Sequence, residues 1–415
     1  MLEPSTEAVS PPLPTRSWPE RWAAWSFVLF AAALPWTIAP MSITVAICAA
    51  ASLLVWVKFP SRGRETTPVD LPALGWVAAL ALSTIFALDR EGSLARLPKA
   101  LFPLLVALAA TRARDAVTGR RALSALLVSA LSASIFGVIV WLSHGGGFQS
   151  RARGAVGHYM TFAGQLLLVT SLACGIAVAA RGRWRVLAAS VTLAGAIALA
   201  CTFTRGAWVG LGVAVVVLLA LLRPRLLPAL VLVAVLAFVL CPAPFRTRAL
   251  SVLDSRDRTS LERTYMWRAG VRMFADHPIT GVGLQDLKPI HERYRVPEAT
   301  ESVGHLHSVP VQIAATLGLV GIAAFAWLVV GLFRAAGGGW RRTRVRRGLA
   351  AGVRAGAVAA LAGFLVAGLF EWNLGDEEIL YLLFTIVGVA WAARAWPPEP
   401  GTLTAVPAPP AGERG

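Results

Sequence analysis

Residues 304–333, GHLHSVPVQIAATLGLVGIAAFAWLVVGLF, set two histidines in front of about twenty-five residues that carry no charge. At about 1.5 Å of rise per residue, such a run as a helix crosses the roughly 30 Å of hydrocarbon in a bilayer. Ser308 is placed to cap that helix and Pro310 suits its first turn, so His307 is expected just ahead of the helix, at the water boundary. Comparable apolar runs recur along the chain, near 22–40, 41–57, 71–88, 93–111, 122–142, 160–180, 184–203, 206–222, 226–242, 308–333, 349–371 and 377–394. Pro40, Pro98 and Pro103 blur the edges of the second and fourth, giving a range of eleven to thirteen around an expected twelve. A chain of 415 residues that is 56% hydrophobic and 15% charged has too much apolar surface for one water-soluble core. The expected fold class is all-α, a polytopic integral membrane protein.

The net charge of +17 follows the membrane pattern. Alternate connections read KFPSRGRE, TRARDAVTGRR, RGRWR, RPR and RAAGGGWRRTRVRR, and the connections between them are short or poor in Lys and Arg. The positive-inside rule makes the arginine-rich set cytoplasmic, with both termini inside, and no nucleic-acid partner is expected. The expected organisation is a disordered cytoplasmic tail at 1–17 with no cleavable signal, transmembrane helices 1–9 over 18–242 and an outer loop at 243–307. Transmembrane helices 10–12 follow over 308–396, then a disordered cytoplasmic tail at 397–415. Cys48, Cys174, Cys201 and Cys241 all fall in apolar spans and read as small core residues.

Chemistry concentrates on the outer face. All six histidines, His144, His158, His277, His291, His305 and His307, lie in two outer connections, 143–159 and the long loop 243–307. Within the long loop, TSLERTYMWRAGVRMFADHP predicts an amphipathic helix with a capping box from Thr259 to Glu262, a stop at Pro278, and Leu261, Tyr265, Ala269 and Met273 on one face. Arg268 and Arg272, one turn apart, offer two cations to a common anion or form a solvated basic face. GVGLQDL resembles part of a dinucleotide fingerprint, but it has no preceding strand and no suitable following helix, so a nucleotide site is rejected.

In ACTFTRGAWVGLG the connection is so tight that Arg205 must lie at the outer boundary, as a snorkelling anchor or, with the helix start at Gly206, as part of an anion site. Arg151, Arg153, Arg96 and Lys99 fall on the same side, and an anionic lipid headgroup is the natural ligand. His307 can serve as general base or be a plain interfacial histidine, while His305 and His307 as a metal pair lack an obvious third ligand. No Asp-x-Asp motif occurs, and Glu371, Asp376, Glu377 and Glu378 read as a solvated rim.

These residues resemble the O-antigen ligase and O-antigen polymerase superfamily of bacterial envelope glycosyltransferases. RARGAVGHYMTFAGQLLL is similar to that family's Arg–Gly loop, and FTRGAWVG to its short Thr/Ser–Arg–Gly turn. RTYMWRAGVRMFADHPITGVGLQDL with HSVPVQIAATLGLVG resembles its Arg/Trp helix, His-Pro turn, Gly-x-Gly and His-(Asn or Ser) with a Gly eleven residues on, here His307, Ser308 and Gly318. Ser308 and Val311 stand where the family usually has Asn and Leu.

The resemblance implies a GT-C-like fold at the bacterial inner membrane, with the active site facing the periplasm. It implies an O-antigen ligase that transfers a glycan from undecaprenyl diphosphate to a hydroxyl of lipid A–core, inverting and without metal or other cofactor. His307, Arg205 and Arg268 would then be catalytic, with Arg153, Lys99, Arg96, Arg151, Arg272 and His305 binding substrate. An O-antigen polymerase or an O-linked protein oligosaccharyltransferase would share the donor site. A transporter is disfavoured because charges lie at boundaries and no repeated halves occur.

Overall fold

A computed structural model describes residues 17–61, 63–251, 258–339 and 347–398, and all regular elements among them are helical. In chain order these are α1 (Trp18–Ala33), α2 (Ile38–Lys58), α3 (Asp70–Ile85), α4 (Arg90–Arg96), a 3₁₀ turn (Leu97–Leu104) leading into α5 (Leu105–Ala113), α6 (Ala116–Ser143), α7 (Tyr159–Ala179), α8 (Gly182–Cys201) and α9 (Arg205–Leu222). They continue as α10 (Leu227–Leu240), α11 (Ala243–Leu250), α12 (Arg258–Asp276), α13 (Lys288–Tyr294), α14 (Val309–Gly337), α15 (Leu349–Ala367) and α16 (Glu377–Ala392). Each of the twelve expected apolar segments contains a helix. Among the described residues, however, only nine helices are long and apolar enough to span a bilayer, or ten if α10 and α11 count as one bent span. The shortfall has a physical cause: α1 and α3 reach only 16 residues each, and α10 breaks at Pro242 with a 119° bend. The expected tails fall almost entirely outside the described residues.

The centre of the bundle is α7 against α15. Both are rich in small residues, and an added Cβ at Gly175 would stand 2.6 Å from the Cα of Gly356, so only glycine allows this approach. The same device joins α9 to α15, where a Cβ added at Gly210 would stand 2.7 Å from the carbonyl oxygen of Gly363. Close backbone contact of this kind holds helices together in lipid, where burial of apolar side chains supplies little net drive.

Two hydrogen bonds define the ends of the bundle. The amide of Gly348 donates to Ala179 O (2.8 Å) at the end that carries the arginine-rich turns, and the amide of Val309 donates to Gly368 O (2.7 Å) at the other. The second end gathers the starts of α7, α9, α14 and α16.

α14 is broken nine residues in. Gly318 has φ +63° and ψ −157°, a conformation open in practice only to glycine. The segment 278–283 docks into the break: the amides of Val282 and Gly283 donate to Ala315 O and Thr316 O (2.9 and 3.0 Å), and those of Leu319 and Val320 donate to Pro278 O and Ile279 O (2.8 and 3.2 Å). Ser83 Oγ of α3 also donates to Thr316 O (2.8 Å). The Gly-x-Gly sequence is therefore a plug for a helix break. A buried break needs such partners, because unpaired backbone groups are costly away from water.

α12 keeps the predicted amphipathic character with a rotated face. Its buried side is Glu262, Met266, Ala269, Gly270 and Met273, while Leu261 is exposed. Glu262 is not a capping partner of Thr259, which already lies in the helix. Its carboxylate accepts from Thr300 N (3.3 Å) and Thr300 Oγ1 (2.6 Å), which lets a charged residue lie on the inner face. Burial alone would raise the Glu262 carboxyl, but these hydrogen bonds outweigh it and hold the group below the usual range. Met266, Met273, Val282, Leu287, Ile290, Leu306 and Ala315 form a small separate core beneath the loop.

Candidate active site

The loop 368–376 after α15 turns back over the end of the bundle and brings Glu371 inward, to 12% side-chain exposure. The expectation of a solvated acidic rim fails here. Glu371 takes a hydrogen bond from the backbone amide of Trp372 (3.1 Å), pairs with Arg263 Nη2 (3.4 Å) and lies 3.6 Å from His305 Nε2. His307 Nδ1–H donates to Glu371 Oε1 at 2.9 Å. Burial pushes this carboxyl upward, yet the hydrogen bonds from His305 and His307 and the charge of Arg263 win and hold it well below the usual carboxylate range. Because the ionised carboxylate can only accept, the proton sits on Nδ1 of His307 and the lone pair on Nε2. That is the tautomer a general base requires.

Backbone geometry marks the same place. Among the described residues only Phe203 and His307 are non-glycine residues with positive φ, at +51° and +46°. Phe203 precedes the Thr204–Arg205 turn, and His307 is the candidate base. Left-handed geometry at a bulky residue costs about 1 to 3 kcal/mol and persists where surrounding contacts impose it.

Arg205 opens α9 and is nearly buried, at 9% exposure, so it is not a snorkelling anchor. It reaches into the long loop, donating to Ser251 O (2.7 Å), Ser251 Oγ (3.0 Å) and Ser260 Oγ (3.4 Å). A cavity of about 70 Å³ beside it is lined by Arg151, Arg205, Arg248, Arg263, Tyr159 and Glu371, among others. Among the described lining residues, four guanidinium groups face one carboxylate. One wall is fixed by stacking, with the Arg151 guanidinium 4.2 Å from the ring of Phe148 and 4.4 Å from that of Tyr159.

A second cavity of about 410 Å³ shares Glu371 and Met160 with the first. Its mouth is polar, with Arg96, Lys99, His158, Asp286, His305 and Asp376, and its depth is apolar, with Trp76, Leu80, Phe102, Phe325, Leu328 and Phe384. Lys99 Nζ donates to Gly375 O (3.0 Å) and pairs with Glu377 (3.2 Å), while Arg96 Nη1 donates to Leu284 O (3.3 Å). Burial pushes Asp376 up to about 6, with the charge of Glu371 adding to the rise and a hydrogen bond from Thr161 Oγ1 (2.9 Å) opposing it. Burial likewise lowers His158.

Of the predicted site residues, Arg205 and Arg151 line the small cavity and Arg96, Lys99 and His305 the larger. His307 lines neither, but bonds to the carboxylate that lines both and keeps 19% of its side chain exposed. Arg268 is exposed and lines neither cavity, because the rotated face of α12 points it away from the bundle. Arg272 is exposed too and donates to Tyr294 O (3.2 Å), and Arg153 is exposed. Arg263, Arg248 and Glu371 belong to the cluster; the two arginines were not singled out from sequence, and Glu371 was read there only as part of a solvated rim. Arg263 had a legible signal, three residues before the buried Met266, whereas Glu371 lies 64 residues from its histidine with no local pattern to connect them.

Glu371 also supplies the third ligand that a metal pair of His305 and His307 lacked in the sequence: the ligand atoms of all three lie within 4.8 Å of one another.

The family model described as O-Antigen ligase matches residues 188–326, about a third of the chain, from α8 into α14. The match bears out the resemblance to the O-antigen ligase superfamily. It spans Arg205, Arg248, Arg263, His305, His307 and Gly318, but not Glu371. No curated protein matches the chain.

Proposed function

We propose that this chain is an O-antigen ligase that moves a glycan from a polyprenyl diphosphate to a sugar hydroxyl of lipid A–core by a single, inverting displacement. The family match supports ligase- or polymerase-type chemistry broadly, at a multi-pass membrane protein. The observation that carries the finer reading is the Arg263–Glu371–His307 chain, which joins an arginine-lined cavity to an imidazole with a free Nε2.

In this reading Arg205, Arg248, Arg263 and Arg151 hold the donor diphosphate, with Lys99 and Arg96 flanking its approach at the mouth of the larger cavity. The apolar depth of that cavity receives the head-proximal part of the lipid tail. The acceptor hydroxyl gives its proton to His307 Nε2 as its oxygen attacks the anomeric carbon. The bond from that carbon to the phosphate oxygen breaks with its electron pair, and the pair stays on the diphosphate. Fixed guanidinium groups stabilise this growing charge most where water is scarce. Glu371 holds the Nδ1–H tautomer and stabilises the imidazolium that forms, as a carboxylate does for a base in acyl transfer. No step needs a metal ion. Arg268 is left as a peripheral cation of the outer loop, and the arginine-rich turns support an extracytoplasmic site by the positive-inside rule.

A deletion strain tests the assignment. Loss of the whole long-chain lipopolysaccharide ladder, with accumulation of lipid-linked polymer, is the expected result. Core bearing a single repeat unit would identify a polymerase instead, and an intact ladder with loss of glycoprotein would identify a protein oligosaccharyltransferase.

A further inference from the structure

We propose that His305, His307 and Glu371 form a site for a divalent ion of the zinc class, and that its occupancy switches off transfer. The inhibitory half rests on the proposed role of His307; the binding half does not.

Among the described residues this is the one group of three such side chains whose ligand atoms all lie within 4.8 Å of one another. Two edges of the ligand triangle are close to those of a tetrahedral ion, and the third is no longer than 4.8 Å. With metal–ligand distances of about 2.0 to 2.2 Å, neighbouring ligand atoms are about 3.3 Å apart. His307 Nδ1 and His305 Nε2 lie 2.9 Å and 3.6 Å from Glu371 Oε1, on either side of that value. The two rings already lie close, with centroids 4.3 Å apart. Arg263 binds the other carboxylate oxygen, Oε2, and the Trp372 amide donates to Oε1 (3.1 Å); both anchor the carboxylate as outer partners do in metal sites, and the second lone pair of Oε1 serves the ion. His305 is 41% exposed and lines the larger cavity, which gives an ion a path in. Two imidazoles and a carboxylate favour zinc or a neighbouring transition ion over magnesium or calcium.

The chemistry of inhibition follows from the tautomer. An ion on Nδ1 of His307 displaces the proton now shared with Glu371. The neutral imidazole then carries its proton on Nε2 and has no lone pair there to accept another. The ion also takes from Glu371 the charge that stabilises an imidazolium. Both effects remove the base and leave the four arginines that line the small cavity without an ion on them, so donor binding should survive.

The test uses full-length protein in nanodiscs, stripped with chelator. Zinc binding is measured by competition with a chromophoric chelator, and transfer is measured with lipid-linked donor and lipid A–core acceptor. One zinc per chain is expected, weakened about 10-fold or more in His305→Ala, His305→Gln and Glu371→Gln. Zinc should inhibit transfer at the concentration where it binds, chelator should restore the rate, and His305→Ala should need at least about 10-fold more zinc for half-inhibition of its own zinc-free rate. Absent binding, or binding that these variants leave unchanged, overturns the site. Zinc that binds without effect, or that activates, overturns the switch. If the zinc-free protein transfers nothing to lipid A–core, the ligase reading fails and the inhibitory claim with it, while the binding measurement still decides the site.

Discussion

At the scale of single residues, the pair Glu371 and His307 does two things at once: it fixes a tautomer and it balances the charge of Arg263. Neutralising the carboxylate while keeping its shape separates these roles. Glu371→Gln should lower transfer by up to about 10⁴-fold, the scale of losing a base's orienting carboxylate, with the protein still inserted and the donor still bound. A steady-state rate and a donor-binding measurement on the same preparation check this. Asp376 gives a prediction about stability. Its carboxyl is raised to about 6, above the value of about 3.9 for an unfolded chain, so the folded state holds the extra proton between these values and stability falls as pH rises through that window. Asp376→Asn keeps an acceptor for Thr161 and removes the penalty. Thermal unfolding in detergent should show a gain at pH 7.5, at most about 3 kcal/mol, and none near pH 4. An equal gain at both pH values would contradict the assignment. The histidine of this site was legible from its position at a helix start. The glutamate was not, because a carboxylate after an apolar span looks the same whether the following loop folds outward or inward.

At the scale of elements, two local features decide what reaches the site. One is the face of α12. A four-residue period predicts a face of Leu261, Tyr265, Ala269 and Met273, but Glu262 is buried by its bonds to Thr300, and the helix turns to bring Arg263 inward. An apolar-periodicity argument cannot foresee a buried carboxylate, so the inward turn of Arg263 was not legible from that period alone. Arg263→Ala should cost about 10² to 10³-fold in rate, the scale of losing one preorganised donor, while Arg268→Ala should cost far less in the same assay. The other feature is the break in α14. Any side chain at Gly318 would run into the backbone of Pro278 and Ile279 and would also carry an unfavourable φ. Gly318→Ala should expel the 278–283 segment, lower stability by about 3 kcal/mol or more, and expose the long loop to protease. The sequence spacing of Gly281, Gly283 and Gly318 was visible, but its meaning required seeing that two distant segments share one set of hydrogen bonds.

At the scale of the whole molecule, hydropathy and charge placement were enough for an all-helical bundle with its elaborated connections at one end. Among the described residues nine helices, or ten with the bent pair, have the length and composition of a full span; a hydropathy run does not show where a helix stops short or bends, as at α1, α3 and Pro242. The bundle explains why chemistry gathers where it does. Small residues let α7, α9 and α15 pack backbone to backbone, and their common end then holds Arg205, Glu371 and the start of α14 in fixed register. A charged diphosphate can be held there only if the arginines are already assembled, since the lipid offers no solvent to reorganise around it. In the proposed reaction one imidazole at this end takes the proton from the acceptor. The most direct measurement is the rate at which purified, correctly inserted His307→Ala protein transfers glycan from a polyprenyl diphosphate to lipid A–core, beside the unsubstituted chain. A fall of about 10² to 10⁴-fold with donor binding retained is the result expected for a missing general base; transfer at the unsubstituted rate would contradict it.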